Sequence, residues 1–276
     1  MPEERDSGLA RLRPAAVAGS FYPSDAARLA AEVERLLRDA VSVQQAQSLQ
    51  GLILPHAGYT YSGPVAASGY SLLKARSDAI DRFVLIGPAH FVSLWGAAVP
   101  AVDGWLTPLG PVDIDGDLVR HACALGARVD DAPHAPEHAL EVQLPFLQIA
   151  LRRNVSILPV AVGVTEKEWV ADLLGALLGS GAFLIVSTDL SHYHADATAK
   201  ALDMRTAAAI TARDPDAIGH DDACGVFALR GALEWARRAD VGAGLLDLRT
   251  SADTAGDPSR VVGYGAFALT RGPGAT

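Results

Sequence analysis

The sequence has few of the features that mark secreted or membrane-spanning proteins. Only two of its 276 residues are cysteines, Cys123 and Cys224, so it offers no disulfide framework, which fits a reducing compartment. Its N-terminal segment has no apolar region of the kind that signal peptides carry. The longest apolar stretch, 173–186, is interrupted by glycine and is shorter than the roughly 20 residues that a membrane-spanning helix needs. We therefore expect a cytoplasmic protein that contacts no membrane.

Positive charge is also scarce. Lysine and arginine number 23 against 32 aspartates and glutamates, which gives a net charge of −9. A nucleic-acid-binding surface requires a basic face, so we expect no nucleic-acid partner. Half of the residues are hydrophobic, enough for a sizeable core. The chain shows no internal repeat and no clear domain boundary, so a single domain is expected, with loose tails at 1–12 and 271–276.

Several catalytic motifs are absent. No Gly-x-Gly-x-x-Gly follows a strand, and no Gly-Lys-Ser/Thr loop is present to cradle phosphates. The sequence also lacks the Gly-x-Ser-x-Gly turn of serine hydrolases and the His-Glu-x-x-His pair of zinc proteases. These absences make nucleotide chemistry and serine hydrolysis weak hypotheses.

Two short apolar runs end alike, in a proline that is followed by a histidine. The run 52–54 precedes His56, and the run 83–86 precedes His90. Runs of this length bounded by breakers are typical of buried strands, and the carboxyl ends of such strands are where open α/β sheets place ligands. One βαβ unit of about 30 residues fits between the two histidines, which predicts neighbouring strands. The alternative is two unrelated loop histidines.

A third apolar run, 183–186, also leads into ionisable side chains. Asp189 and His192 follow it, and they suit an orienting carboxylate and an acid/base imidazole. The alternative is a helix-capping aspartate and a surface histidine. Further along, Cys224 is predicted to open a helix that reaches about residue 239, where amide N–H groups would favour its thiolate. A buried, inert cysteine is the alternative.

The remaining pattern predicts an α/β fold with a central mixed, largely parallel sheet flanked by helices. A helix is predicted over 137–151, with His138 near its start and Glu137 and Glu141 on one face. Segment 105–110 is predicted to be a turn-rich connection. The segments 244–249 and 261–269 are predicted to be an antiparallel pair of strands.

Five segments together resemble the Memo family: Pro14 to Pro23, Leu54-Pro-His-Ala-Gly-Tyr59, Ile86-Gly-Pro-Ala-His90, Glu137 to Phe146 and Ser187-Thr-Asp-Leu-Ser-His192. The resemblance continues around Cys224 and Val261-Val-Gly-Tyr264 and covers about 13–270. In bacteria and archaea the family looks like the Memo component of the AmmeMemoRadiSam system. That similarity implies a possible radical-SAM protein partner and a fold similar to the class III extradiol dioxygenases.

The resemblance also implies a mononuclear metal site. Carried over, His56 and His90 take the positions of two histidine ligands, and His192 takes the acid/base position. Cys224 stands where those dioxygenases have a glutamate ligand. Asp189 and His138 resemble further pocket residues of the family. Fe(II) is the expected metal, and Cu or Zn is an alternative because a thiolate is a softer ligand than a carboxylate.

The sequence therefore predicts a metal-dependent oxidoreductase that resembles a dioxygenase and acts on an unidentified small molecule. One alternative is a non-enzymatic ligand- or partner-binding protein of a radical-SAM-associated system, and another is a metal-dependent hydrolase. An electron-transfer copper site is disfavoured, because such sites usually add an axial methionine. Only Met1, at the terminus, and Met204, inside a predicted helix, are present.

Overall fold

A mixed sheet with a parallel centre runs through the protein. The computed structural model describes residues 10–40, 49–76 and 80–272, so most of both predicted tails lies outside the described residues. In that part of the chain the strands are β1 (Leu12–Arg13), β2 (Leu49–Leu54), β3 (Arg82–Pro88), β4 (Ala97–Val99), β5 (Gly104–Thr107), β6 (Gly110–Ile114), β7 (Arg128–Val129), β8 (Ser156–Val162), β9 (Phe183–Ser187), β10 (His192–His194), β11 (Val241–Thr250) and β12 (Val261–Arg271). The α-helices are α1 (Ala26–Asp39), α2 (Tyr59–Tyr70), α3 (Gly116–Ala124), α4 (Leu144–Leu151), α5 (Lys167–Leu178), α6 (Asp196–Ala212) and α7 (Val226–Arg238).

The parallel centre of the sheet has the order β6-β8-β3-β9-β2. At one side β12 continues it antiparallel to β2 and also pairs with β10 and β11. At the other side β5 pairs antiparallel with β6, and β4 adds to β8. The chain therefore forms the predicted α/β domain with a mixed, largely parallel sheet, and the predicted antiparallel pair near the C-terminus is confirmed.

Helices cover both faces of the sheet, which explains the continuous apolar runs. Alternate residues of β2 and β3 point to opposite faces: Leu52 and Phe83 pack with α1, α2 and α4, whereas Ile53 and Val84 pack with α3, α5 and α7. A strand that is buried on both faces needs apolar residues at every position rather than at alternate positions. None of the helices within the described residues is long and apolar enough to span a membrane.

The structure corrects several predicted elements. Segment 105–110 is not a turn-rich connection, because β5 and β6 form a hairpin across it. The predicted helix 137–151 begins only at Glu141–Gln143, as a 3₁₀ turn that leads into α4, with Pro145 near the start of α4 where its missing N–H costs nothing. The helix after His56 begins at Tyr59, with Gly58 as N-cap.

The sequence had predicted that the two histidine-bearing strands are neighbours, but they are not. β9 lies between β3 and β2 and pairs in parallel with both. The carboxyl end of β9, which carries Ser187 and leads to Asp189, is therefore placed between His56 and His90. This insertion brings all three predicted strand ends to one point of the sheet edge.

Asp115 ties α3 to the sheet, which leads to a pH-dependent stability prediction. Its carboxylate caps α3, accepts hydrogen bonds from Arg82 at 2.7 and 3.0 Å, and accepts one from Ser156. Burial raises its pKa, but these hydrogen bonds outweigh burial and lower the pKa to about 2. Because the folded-state pKa lies below the ordinary 3.8, this stabilisation is complete above about pH 4 and is lost as the pH falls toward 2.

Asp115→Asn is therefore expected to lower the free energy of unfolding by about 2 kcal/mol at pH 7. The difference from the unmodified protein should shrink as the pH falls below 4, and denaturant unfolding at several pH values measures it. Asp117→Asn is the matched control, because the Asp117–Arg120 pair is exposed and should contribute almost nothing. A difference that is constant with pH would contradict the role of the carboxylate charge.

Candidate metal centre

His56 leaves the end of β2 and is almost fully buried. Its backbone N–H donates to Asp189 Oδ1 at 2.7 Å, and its ring Nδ1 is 3.0 Å from Ser187 Oγ. Its other ring nitrogen, Nε2, is 3.2 Å from Cys224 Sγ. Burial lowers the pKa of His56 well below its ordinary value, and the nearby His138 ring lowers it further. The imidazole is therefore neutral, the form that binds metals.

His90 follows the end of β3 and is held by Glu137, a residue to which the sequence had assigned no role at the site. Glu137 Oε2 accepts the His90 amide at 2.6 Å, and Oε1 is 2.9 Å from His90 Nδ1. Burial raises the pKa of Glu137, but the hydrogen bonds from the His90 ring and amide outweigh it and leave the pKa below its ordinary value. A buried carboxylate thus lies directly behind this imidazole.

His138 completes a cluster of three imidazoles. Its ring stacks on His90 with centroids 4.9 Å apart and meets the edge of His56 at 5.4 Å. One ring nitrogen from each of the three histidines lies within 4.8 Å of the others, a spacing that could hold a metal ion. His138 Nδ1 is buried and makes no hydrogen bond, although Glu137 Oε1 lies 3.3 Å from it. Phe21 and Phe91 pack around the ring.

Cys224 lies beside this cluster, next to His56. The sulfur also accepts a hydrogen bond from the Asp189 amide at 3.3 Å. The sequence had predicted that Cys224 opens α7, but the helix begins at Val226 with Gly225 as N-cap. Burial raises the pKa of the thiol, and the Asp189 carboxylate raises it further. The prediction that a helix start favours the thiolate of Cys224 is therefore wrong, and in the metal-free protein the thiol keeps its proton.

Asp189 and His192 both reach the same region from the end of β9. Burial raises the pKa of Asp189 to about 7. His192 Nδ1 is 2.7 Å from the carbonyl of Leu190, which can only accept, so Nδ1 carries the proton and Nε2 has the lone pair. Burial lowers the pKa of His192, and the His90 ring lowers it further.

A buried ion pair anchors the turn that carries Glu137 and His138. Arg13 Nη1 donates to Glu141 Oε2 at 2.6 Å, and the same guanidinium donates to the carbonyls of His134 and Glu137. It also lies over the Trp105 ring at 4.3 Å. Because the predicted helix does not form at 137–140, Glu137 and Glu141 do not share a face. One carboxylate holds His90, and the other holds Arg13.

The predicted site residues thus meet at one place, although the sequence did not predict every partner. Hydrogen bonds and ring contacts join five of the six, namely His56, His90, His138, Asp189 and Cys224. His192 follows on the same segment as Asp189, where the His90 ring lowers its pKa. The sequence analysis missed the supporting roles of Glu137, Ser187 and Arg13. The only signal for them was their position next to residues that had already been singled out. Tyr59, which ends the motif around His56, packs in the core and donates to the Val142 carbonyl.

The general class of this protein is an α/β fold with a cluster of imidazoles at the carboxyl edge of its sheet. These imidazoles could hold a metal ion. Within that class, the chain belongs to the Memo family, because the model of Memo-like proteins matches residues 13–268. A MEMO1 family protein of Methanopyrus kandleri is 33% identical to it over 94% of this chain and 99% of that protein. A MEMO1 family protein of Aquifex aeolicus is 34% identical over 92% and 97%.

One solved structure supports the fold. The crystal structure of an uncharacterised protein from Escherichia coli K12 superposes with a TM-score of 0.51, and it covers 79% of this chain and 99% of its own. The two sequences are 12% identical, so the likeness concerns the fold alone.

Proposed function

We propose that this protein binds one transition-metal ion through His56, His90 and Cys224, with His138 at the same centre, and acts as an oxidoreductase resembling the class III extradiol dioxygenases. The observation that carries the proposal is the contact between Cys224 Sγ and His56 Nε2, at 3.2 Å, beside the three-imidazole cluster. With metal–nitrogen and metal–sulfur bonds of about 2.0 and 2.3 Å, two ligands of a tetrahedral ion are about 3.5 Å apart. The donor atoms therefore have nearly the separation that ligation requires.

The donor set also suits a redox-active ion. Fe(II) is the proposed metal, and Cu and Zn are the alternatives, because two imidazoles and a soft sulfur are compatible with all three. Bound there, the ion would supply Lewis acidity and open positions that orient dioxygen or an oxygen-bearing substrate. The buried Nδ1 of His138 is a further polar atom at the centre: it makes no hydrogen bond, and the Glu137 carboxylate lies 3.3 Å from it.

In this proposal His192 moves the proton. Its Nδ1–H is committed to the Leu190 carbonyl, so Nε2 is the atom that can accept a proton from a substrate. Burial lowers the pKa of His192, so the ring is neutral at pH 7 and can act as a base. Asp189 holds the main chain of His56 in place, and the Phe21 and Phe91 rings contact His138.

Dioxygen uptake tests the proposed reaction. The Fe(II)-loaded protein is expected to consume dioxygen with at least one member of a panel of catechol-like substrates. His192→Ala should lower the rate by about 100-fold or more, because proton transfer by a positioned side chain contributes about 10²–10⁴-fold. His121→Ala is the matched control, since His121 is an exposed histidine on α3.

The other outcomes of this experiment identify the alternatives. Turnover that requires Zn and no dioxygen would indicate a metal-dependent hydrolase. Tight ligand binding without turnover under either condition would favour a non-enzymatic binding protein, with a radical-SAM protein as the proposed partner. Either result would contradict the oxidoreductase proposal.

A further inference from the structure

We infer that Glu137 and Ser187 are positioning residues that fix His90 and His56 in the tautomer with the proton on Nδ1, so that both Nε2 lone pairs are available to one metal ion. This inference rests on the proposed metal site. It comes from accounting for every hydrogen bond behind the two rings, since a carbonyl can only accept and an amide N–H can only donate. Neither partner belongs to the proposed ligand set.

The His90 side of the argument depends on Glu137. Its carboxylate accepts backbone N–H groups from His90 at 2.6 Å and from His138 and Ala139 at 2.9 Å each. Oε1, which accepts two of these amides, is also the oxygen 2.9 Å from His90 Nδ1. Three backbone N–H groups that donate to one carboxylate stabilise its ionised form, which can only accept. His138 Nδ1 also lies 3.3 Å from Oε1 but makes no hydrogen bond with it. His90 Nδ1 must therefore carry hydrogen.

The His56 side depends on the single proton of Ser187. Ser187 Oγ is 2.6 Å from the Ala139 carbonyl, 2.8 Å from Gln143 Nε2 and 3.0 Å from His56 Nδ1. The carbonyl can only accept, so the hydroxyl proton points to Ala139. The Gln143 amide group donates to the oxygen. Only a lone pair remains for His56, whose Nδ1 must then donate.

The orientation of Gln143, on which this step depends, is also fixed. Gln143 Nε2 lies 3.0 Å from the Pro55 carbonyl, and Gln143 Oε1 accepts from the Tyr70 hydroxyl at 2.8 Å. A flipped amide would place two acceptors, its own oxygen and the Pro55 carbonyl, against each other. The assignment of the amide is therefore set by the hydrogen-bond network.

One turn supports both rings. Glu137 reaches His90 through its side chain, and Ala139 reaches His56 through Ser187. The two supports differ in charge, because a carboxylate faces His90 and a neutral hydroxyl faces His56. Charge-assisted hydrogen bonds are stronger, and a carboxylate behind an imidazole raises its basicity as a metal ligand. Loss of Glu137 should therefore weaken metal binding more than loss of Ser187.

The tautomers are measurable without metal. Long-range ¹H–¹⁵N spectra of the metal-free, ¹⁵N-histidine-labelled protein are expected to show the Nδ1–H form for both rings, with assignment by His56→Ala and His90→Ala. An Nε2–H form at either ring would overturn the inference for that residue. This readout needs no metal. If the protein bound no metal, the proposed function would be wrong, and the spectra would still show whether the tautomer assignment is right.

The effect on metal affinity is the second measurement, made by competition of Co²⁺ against a chromophoric chelator. Glu137→Gln should weaken binding about 10- to 100-fold, and Ser187→Ala should weaken it by less, about 10-fold. Glutamine must turn an NH₂ group toward at least one of the present donors. Glu137→Asp, which keeps the charge, should recover part of the affinity.

Glu234→Gln is the matched control for metal affinity. Glu234 is also a buried glutamate, but it lies on α7 and binds Arg237 and Arg238 rather than a histidine. Thermal unfolding of the metal-free variants separates lost stability from lost affinity. If Glu137→Gln and Glu234→Gln weakened Co²⁺ binding equally, the effect would not depend on the contact with His90 and the inference would be wrong. If Glu137→Gln failed to fold, the ¹H–¹⁵N spectra of the unmodified protein would still show which tautomer His90 adopts.

Discussion

His56→Ala is expected to abolish stoichiometric metal binding, with a loss of affinity of at least about 100-fold. Its ring contacts every other member of the proposed centre: Nε2 is 3.2 Å from Cys224 Sγ, and the ring centroid is 5.3 Å from that of His90 and 5.4 Å from that of His138. Loss of an outer partner of a metal ligand alone costs about 10- to 100-fold, so loss of a ligand should cost at least the upper value. Metal analysis after anaerobic purification, and chelator competition, measure the effect.

The same experiment distinguishes a ligand from a neighbour. The unmodified protein is expected to hold about one equivalent of a transition metal, with spectroscopic features of a thiolate–metal bond that disappear in Cys224→Ser. His121→Ala should bind metal as the unmodified protein does, because His121 is exposed on α3. A His56→Ala protein that still held one tightly bound equivalent would place the ion elsewhere.

Arg13→Met is expected to cause the largest loss of stability among the changes considered, about 3–5 kcal/mol, because it leaves a buried carboxylate without its cation. Arg13 and Glu141 are 5% and 0% exposed, so solvent screens their attraction little. The substitution also removes the donors that hold the His134 and Glu137 carbonyls. Since whole domains are stable by only about 5–15 kcal/mol, the effect should be plain in denaturant unfolding.

The remaining partners of Glu141 set the lower end of that range. The backbone amides of Ala16 and Val17 and the Tyr22 hydroxyl still donate hydrogen bonds to the Glu141 carboxylate, so its negative charge remains partly stabilised. Arg120→Met is the control, because the Arg120–Asp117 pair is exposed and should contribute under about 1 kcal/mol. If Arg13→Met cost no more than Arg120→Met, the buried pair would not stabilise the turn that carries Glu137.

The strand ends of the site could be predicted because their signal is local. A short apolar run lies next to ionisable residues in the sequence, with a proline between them before His56 and His90, so these two histidines and Asp189 could be singled out without tertiary information. The apolar run reports burial on both faces, and burial on both faces is typical of the parallel centre of an α/β sheet.

The errors have a common cause as well. The prediction that Cys224 starts a helix was wrong by two residues, because α7 begins at Val226 with Gly225 as N-cap. The amides of Cys224 and Gly225 instead donate to the Asp189 carbonyl and the Thr188 hydroxyl, which are far away in the sequence. The segment 137–140 has a helical pattern, yet Glu137 turns its carboxylate onto three backbone amides and a histidine ring, which the helix would not permit. The hydrogen bonds that the Glu137 side chain accepts from the two following amides and from His90 outweighed local propensity there.

The sequence by itself determined the α/β class, the resemblance to the Memo family and the six residues that meet at the sheet edge. Only the tertiary structure decided that β9 lies between β2 and β3, that Glu137 and Ser187 stand behind the two imidazoles, and that burial keeps the Cys224 thiol protonated. The apolar pattern of a strand depends only on residues that are adjacent in the sequence. The order of strands and the desolvation of a thiol depend on residues far apart in the chain, and no local pattern records them.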